Sequence, residues 1–475
     1  MNPEGEWPAG STQNRIDDIA PRPPKNAGGI EEWPLPHSRL PKVRTMGKNP
    51  SARGARRRTI IAAGSLAIAG TLALAGCSSS GESATGDAGL TFMNQSRGQE
   101  AALTQLAQQY TKKTGVKITV ETPGPADYLP KLQAKAQSRS MPDIYSSFDA
   151  SQMAPFYKAG WAMDLSAELN AGWSKNFSPA VLTMSTFKEG NNLGVKPGVY
   201  SVHWETQTYG FLINPALTGM SSKNPPATTA AFIDALAAKK AKFSIAASQT
   251  PNIIQALASN WLTDADIEAT LNGKSSWKQD GWRNAFQFLV DLKKAGVLAN
   301  DSIPGGQGDH PNVESSFFTK SMGAIWDAAP GISVGLRTNP EFEDYFSMGL
   351  PKAPGSVHDP RSPGVPGKGA VINPRSGHAK EALAFVKWLT EPEQQAVFAK
   401  TARILPSNPE LLAGADIPDQ LEGFAAGVKD MQVMSTTFTP DVITAIRAES
   451  QRLVLGETTV DDALTTIQAA QDRTS

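Results

Sequence analysis

Residues 90–122 read LTFMNQSRGQEAALTQLAQQYTKKTGVKITVET, and the order of patterns within them decides the fold class. LTFMNQ is a short β-rich run. From Glu100 to Thr114, Leu103, Leu106, Ala107 and Tyr110 share one helical face, and Gly115 stops the helix. VKITVET then alternates apolar and polar residues as a strand does. Downstream, YLPKLQAKAQS (128–138) reads as a second helix, and Pro142 precedes another β-run, DIYSSF (143–148). Such a β-α-β-α succession predicts an α/β fold: a mostly parallel sheet with helices on both faces. Ligands of such open sheets bind outside the carboxyl ends of the strands.

The same reading extends along the chain. Helices are predicted at 228–240, 280–295, 378–400 and 440–473, and β-runs near 209–214, 322–326 and 369–373. Residues 351–369 (PKAPGSVHDPRSPGVPGKG) form a loop rich in Pro and Gly. No fixed period repeats, which excludes a solenoid.

The front of the chain is an address. A basic stretch, RGARRR at 53–58, precedes the apolar run TIIAAGSLAIAGTLALAG and then Cys77. A basic n-region, an apolar h-region and small residues before a cleavage point make a secretory signal. LAGC at 74–77 resembles the lipobox of bacterial lipoproteins, which implies lipidation of Cys77 and removal of residues 1–76. The run is short for a retained membrane helix. Residues 53–76 are thus a lipoprotein signal peptide, and 77–89 a flexible polar tether. Residues 1–52 are expected to be a disordered or misannotated extension. Met46 followed by GKNPSARGARRR would make an ordinary signal start, and Arg57-Arg58 faintly resembles a twin-arginine signal.

Of 475 residues, 40% are hydrophobic and 19% charged, a globular composition. Net charge is zero over the whole chain, but 34 basic and 39 acidic residues follow position 76, a net of −5. A mildly acidic body argues against nucleic acid as partner. With one cysteine, no intramolecular disulfide forms, and core packing must hold the body together.

Several landmarks occur in a telling order: KKTGVKITVE (112–121), MPDIYSSFDA (141–150), FYKAGWAMDLSAEL (156–169) and YSVHWETQTYGFLINPAL (200–217). PPATTAAFIDAL (225–236), FFTKSMGAIWDAAPG (317–331), GKGAVINPRSGHAKEALAFVKWLTEPEQQAVF (367–398) and ILPSN (404–408) follow. Together they resemble the extracellular solute-binding proteins of ABC importers, the group that includes maltose-binding protein. The resemblance covers nearly all of 90–475. It implies two α/β lobes of the periplasmic-binding-protein type II fold, joined by hinge crossings and closing on a solute between them. Lobe I is expected to comprise 90–203 plus 351–408, and lobe II 204–350 plus 409–475. The crossings fall near 203–208, 347–351 and 405–411. The implied partners are a small solute, most often carbohydrate, and the importer's permease. The implied setting is extracytoplasmic, on the cell membrane through the lipid on Cys77, and the expected state is a monomer.

Sugar recognition needs aromatic faces for the C–H side of a ring and carboxylates or amides for its hydroxyls, gathered in a concave pocket. At predicted strand ends and crossings the candidates are Asn94, Gln95, Arg97, Phe148, Asp149, Trp204, Glu205, Tyr209, Trp326 and Asp327. Glu205 falls where family members often place a ligand-contacting carboxylate. Asn or Asp capping a loop is the plainer role for some of these. Trp282 and Trp388 follow helical spacing and are assigned to core, and Trp161 to a lobe wall. A phosphate-bearing ligand would need converging Arg or Lys residues, and no cluster stands out in the sequence. No HExxH occurs and the five His residues are scattered, so neither a metal nor a cofactor is expected. G-x-S-x-G and Walker A motifs are also lacking, so a binder is expected before an enzyme. An extracytoplasmic carbohydrate-active enzyme or a ligand sensor is the alternative.

Overall fold

Strand residues that alternate between two buried faces build the centre of each half of the molecule. A computed structural model describes residues 89–473 apart from 301, 304–309, 415–416 and 435–436. The extension, the signal segment, Cys77 and the tether therefore lie outside the described residues.

The first half is organised by β1 (Leu90–Met93), β2 (Ile118–Glu121) and β3 (Ile144–Ser147). β1 runs parallel to both neighbours, with Phe92 opposite Val120 on one side and Ile144 on the other. Two further small strands, β4 (Thr186–Phe187) and β5 (Gly198–Val199), pair only with each other. β6 (Val202–His203) completes the main sheet through a late strand described below. Helix Glu100–Thr114 buries Leu103, Leu106, Ala107 and Tyr110, and Gly115 ends it at φ 80°. Only glycine enters that left-handed region without cost, so the helix stops where the sequence predicts.

The second half contains β7 (Gln207–Ile213), β8 (Phe243–Ser244), β9 (Ala324–Ala328) and β10 (Phe346–Met348) in the order β10-β7-β9-β8. β11 (Gly364–Val365) pairs with the start of β7, and β12 (Gly369–Ile372) returns to the first sheet, giving it the order β2-β1-β3-β12-β6. Period-two burial puts helices on both faces of each sheet. Phe211, Ile213, Ala324 and Trp326 pack into one cluster with Trp282 and Phe286, while Leu212 and Ile325 join Phe317, Phe318 and Phe424 in another. In the first sheet Leu90, Phe92 and Ile144 face one cluster, Met93 and Tyr145 the other. Trp282 and Trp388 are buried core, and Trp161 packs against the wall cluster of the first lobe, as their spacing predicts.

Three segments connect the lobes. Residues 204–206 lead from β6 to β7, and 404–408 run antiparallel beside them, with Thr206 N donating to Leu405 O at 2.9 Å and Ser407 N to Trp204 O at 3.1 Å. The remaining crossing was expected near 347–351. Instead the chain stays on the second lobe: Thr229 N donates to Lys352 O at 3.0 Å, and Val357 N to Asn260 O at 2.9 Å. Arg361 Nη1 donates to Asp264 Oδ2 at 2.6 Å, and β11 then adds to β7. The crossing comes at 366–368, so 351–365 belong with lobe II. Here Gly367 has φ +75°, and a Cβ would stand 2.6 Å from the Glu205 carbonyl oxygen, so these two crossings pack together over glycine. Among the described residues no helix is long and apolar enough to cross a membrane.

Candidate functional site

A cavity of about 370 Å³ opens between the lobes at the strand ends, within the size range of small-molecule sites. Six sequence candidates line it: Gln95, Arg97, Phe148, Asp149, Tyr209 and Asp327. Gln95 and Arg97 follow β1, and Phe148 and Asp149 follow β3. Asp149 caps helix Ala150–Lys158, its carboxylate accepting from Ser151 N and Gln152 N. From lobe II, Tyr209 lies on β7 and Asp327 on β9, where Gly210 is its register partner.

The other four candidates do not reach the cavity. Asn94 is fully buried; its Oδ1 accepts from Ser96 N at 2.9 Å and Ser146 Oγ at 3.3 Å, fixing the turn that presents Gln95 and Arg97. Trp204 is also buried, stacked on Phe398 with centroids 4.9 Å apart, and its Nε1 donates to Gln99 Oε1 at 2.8 Å. Glu205, 0% exposed, accepts at Oε2 from Gln99 Nε2 at 2.9 Å and from Lys368 N at 3.1 Å. Burial pushes its carboxyl up from the ordinary range, against the bonds from Gln99 and the nearby Lys368 charge. Trp326 points into the lobe II core, edge-on to Phe211 at 5.1 Å. One step along the strand alternates the face, which is why Trp326 is core while Asp327 meets the cavity.

Residues that the sequence reading passed over complete the wall: Gln152, Asn252, Gln255, His310, Lys368 and Arg447 among them. Lys368 lay inside a stretch read only as a turn. Arg447 lay on a helix with an amphipathic pattern, where a solvated charge is the ordinary reading. His310 starts helix His310–Phe318 and meets Glu314 one turn on; a search for His pairs alone misses a His-x-x-x-Glu.

Among the described residues three ion pairs span the lobes: Arg337–Glu100 at 3.3 Å, Arg403–Glu343 at 3.2 Å, and one at the cavity. Arg97 donates from Nη1 to Glu314 Oε2 at 2.6 Å and from Nη2 to Glu314 Oε1 at 3.1 Å. Glu314 is 0% exposed, and His310 Nε2 sits 2.9 Å from Asp327 Oδ1. Burial pulls the His310 imidazole down, but Glu314 and Asp327 together raise it above its usual value. Burial raises the Glu314 carboxyl despite its cationic neighbours. Donor atoms of His310, Glu314 and Asp327 lie within 4.8 Å of one another. With both Glu314 oxygens bound by Arg97, the guanidinium takes the place a cation would occupy. At another point Asn192 Nδ2 donates to Thr437 O at 2.6 Å, a further link between the halves.

Aromatic faces, amides and charged groups thus converge between two lobes; the wall also holds a buried contact of Ser201 Oγ with His203 Nε2 at 2.9 Å. The sequence matches the profile of the bacterial extracellular solute-binding proteins over residues 105–425. A comparison with curated proteins finds no significant sequence match. Among solved structures, an ABC transporter solute-binding protein from Thermotoga lettingae bound with α-D-tagatose is 17% identical, with a TM-score of 0.68 over 81% of this chain and 99% of that one. The maltose/maltodextrin-binding domain from Bdellovibrio bacteriovorus bound to maltotriose is 17% identical (TM-score 0.63; 81% and 99% covered). The GacH receptor of Streptomyces glaucescens, solved with acarbose, is 16% identical (TM-score 0.65; 81% and 97% covered). They share the two-lobe fold, and the family profile spans most of the chain. The chain belongs to the bacterial extracellular solute-binding proteins.

Proposed function

We propose that the protein captures a carbohydrate between its lobes by hinge closure and passes it, unchanged, to the permease of an ABC importer. The observation that carries this reading is the composition of the cavity wall. Phe148 and Tyr209 offer ring faces from opposite lobes, beside the amides of Gln95, Gln152, Asn252 and Gln255. A solute touching both lobes stabilises the closed arrangement by its differential affinity for it. The sugars bound by structural neighbours, tagatose and maltotriose among them, support the ligand class.

The site we propose is Gln95, Arg97, Phe148, Asp149, Tyr209 and Asp327, with Lys368, His310 and Arg447 added. The protein acts as a monomer, held on the outer face of the cell membrane by lipid on Cys77; Cys77→Ala should release it into the medium. A thermal-shift screen against sugars, polyols and amines tests the function. A ligand at about 100 times its dissociation constant stabilises by about 2.7 kcal/mol. Recovery of that ligand intact, together with loss of the shift in Tyr209→Ala, is the expected result. Turnover of a glycoside, or shifts with amines alone, would overturn the reading.

A further inference from the structure

Apart from Asp327 Oδ2, which has no hydrogen-bond partner, the carboxylate oxygens described at the cavity are engaged, and two of its cations form no ion pair among the described residues. Asp149 Oδ1 accepts from Ser151 N at 2.8 Å, Ser151 Oγ at 2.7 Å and Gln152 N at 3.2 Å. Asp327 Oδ1 accepts from Ala328 N at 2.7 Å and faces His310 at 2.9 Å. Its Oδ2 packs against Gly331, where an added Cβ would stand 2.2 Å away. Arg97 is neutralised by Glu314.

Lys368 and Arg447 differ. Among the described residues neither forms an ion pair, although both line the cavity. Lys368 Nζ makes one hydrogen bond, to Gln95 Oε1 at 3.1 Å, and stands 5.8 Å above the Phe148 ring. Arg447 carries five N–H donors, yet among the described residues it bonds only Ser248 O, 3.5 Å from Nη2, and Nε has no partner there. Ser248 leads into helix Thr250–Ala258, whose first residues also line the cavity. That helix has no acidic residue in its first turn and no side-chain cap, so its positive end stays open. Elsewhere on the wall, Gln207 is 6% exposed, and its side chain is directed to the Glu205 carboxyl. Both cations feel Asp149 as an opposing charge.

Holding an ammonium and a guanidinium partly out of water with no direct ion pair is costly, and a ligand can remove that cost. We propose that the solute selected here is an acidic saccharide, a sugar bearing a carboxylate or phosphate group. That group sits against Arg447 and the N-terminus of helix Thr250–Ala258, with Lys368 adding a second positive charge. The inference rests on the carbohydrate reading and narrows it. Asp149 is the opposing charge that acts on Arg447, and its Oδ1 is held by three donors; Lys368 also feels Glu205 and Glu314, each bound elsewhere. The convergence of basic side chains that the sequence did not show is produced by the fold, from a crossing segment and a C-terminal helix far apart in the chain.

Calorimetric titration of the purified protein with glucuronate, galacturonate and glucose 6-phosphate, beside glucose and galactose, tests it, followed by the corresponding disaccharides. An acidic sugar should bind about tenfold or more tighter than its neutral parent, as a charge-assisted bond would give, and less tightly as salt rises. Preference for uronates over the phosphate, or the reverse, identifies the anionic group. Arg447→Met should weaken the acidic sugar about tenfold more than its neutral parent, and so abolish the preference. Arg447→Lys should restore part of it, which separates charge from folding. Equal or tighter binding of neutral sugars overturns the proposal and leaves the carbohydrate reading standing. So does an equal loss for both classes in Arg447→Met. If no sugar of either class binds, both readings fail.

Discussion

Glu314→Gln is expected to loosen closure without unfolding either lobe. The pair it breaks has two bonds, at 2.6 and 3.1 Å, and joins an Arg97 side chain 16% exposed to a Glu314 side chain 0% exposed. Removing one partner of a buried pair costs about 3–5 kcal/mol, because the other charge is left stranded. Arg97 keeps some contact with water, so the lower end applies, about 3 kcal/mol. At 1.4 kcal/mol per decade this is roughly a 150-fold drop in the ratio of closed to open molecules. Arg97 regains its water when the lobes part, so the penalty falls on the closed state alone. Small-angle scattering and a fluorescence pair across the lobes should show the variant more open without ligand, and apparent affinity should fall with the closed fraction. The exposed pair of Lys131 and Glu121, 3.7 Å apart, provides a control whose loss should change neither quantity. An unchanged scattering profile together with unchanged affinity would refute the idea that this pair holds the lobes together.

Trp204→Ala and Trp326→Ala should each cost about 3–5 kcal/mol in urea unfolding, as large cavities in packed cores do; intact stability with lost ligand affinity would restore them to the site. Gly367→Ala should destabilise by about 1–3 kcal/mol, since φ +75° and the Glu205 carbonyl both oppose a Cβ; an unaltered melting temperature would contradict this. Burial lowers His203 to about 4, so its neutral form contributes stability above pH about 6.5, and this fades as pH falls toward 4. His203→Gln should therefore flatten the acid side of the stability profile, and an equally steep variant would count against it. Burial and the nearby Arg97 lower Lys368 to about 8, against the opposing pull of Glu205, Glu314 and Asp149. Affinity for an acidic sugar should fall as pH rises through about 8, and Lys368→Met should remove that step.

The lobes and most elements were legible because burial follows period. Predicted helices at 378–400 and 440–473 each divide in two, at Pro392 and at Gly456, where φ is 78°. Both breakers stand in the sequence, and an apolar pattern running through them hid the break. The crossing at 366–368 was misplaced because 351–365 is held to lobe II by bonds to Lys352, Val357 and Arg361, which have no sequence period. At the cavity, the strand-end residues Gln95, Arg97, Phe148, Asp149 and Asp327 line the wall, whereas Asn94, Glu205 and both tryptophans do not. An aromatic beside a crossing looks the same whether it faces a cleft or, like Trp204, stacks on Phe398 from a distant helix.

Lys368 occupies a singular position in this arrangement. Its backbone N–H bonds the Glu205 carboxylate on a neighbouring crossing, while its side chain enters the cavity. Whatever grips the ammonium therefore pulls on the pivot itself, with no chain of intermediates between guest and hinge. Occupancy and lobe angle would then be sensed at a single peptide unit, and changing this one lysine should alter how tightly the two are geared.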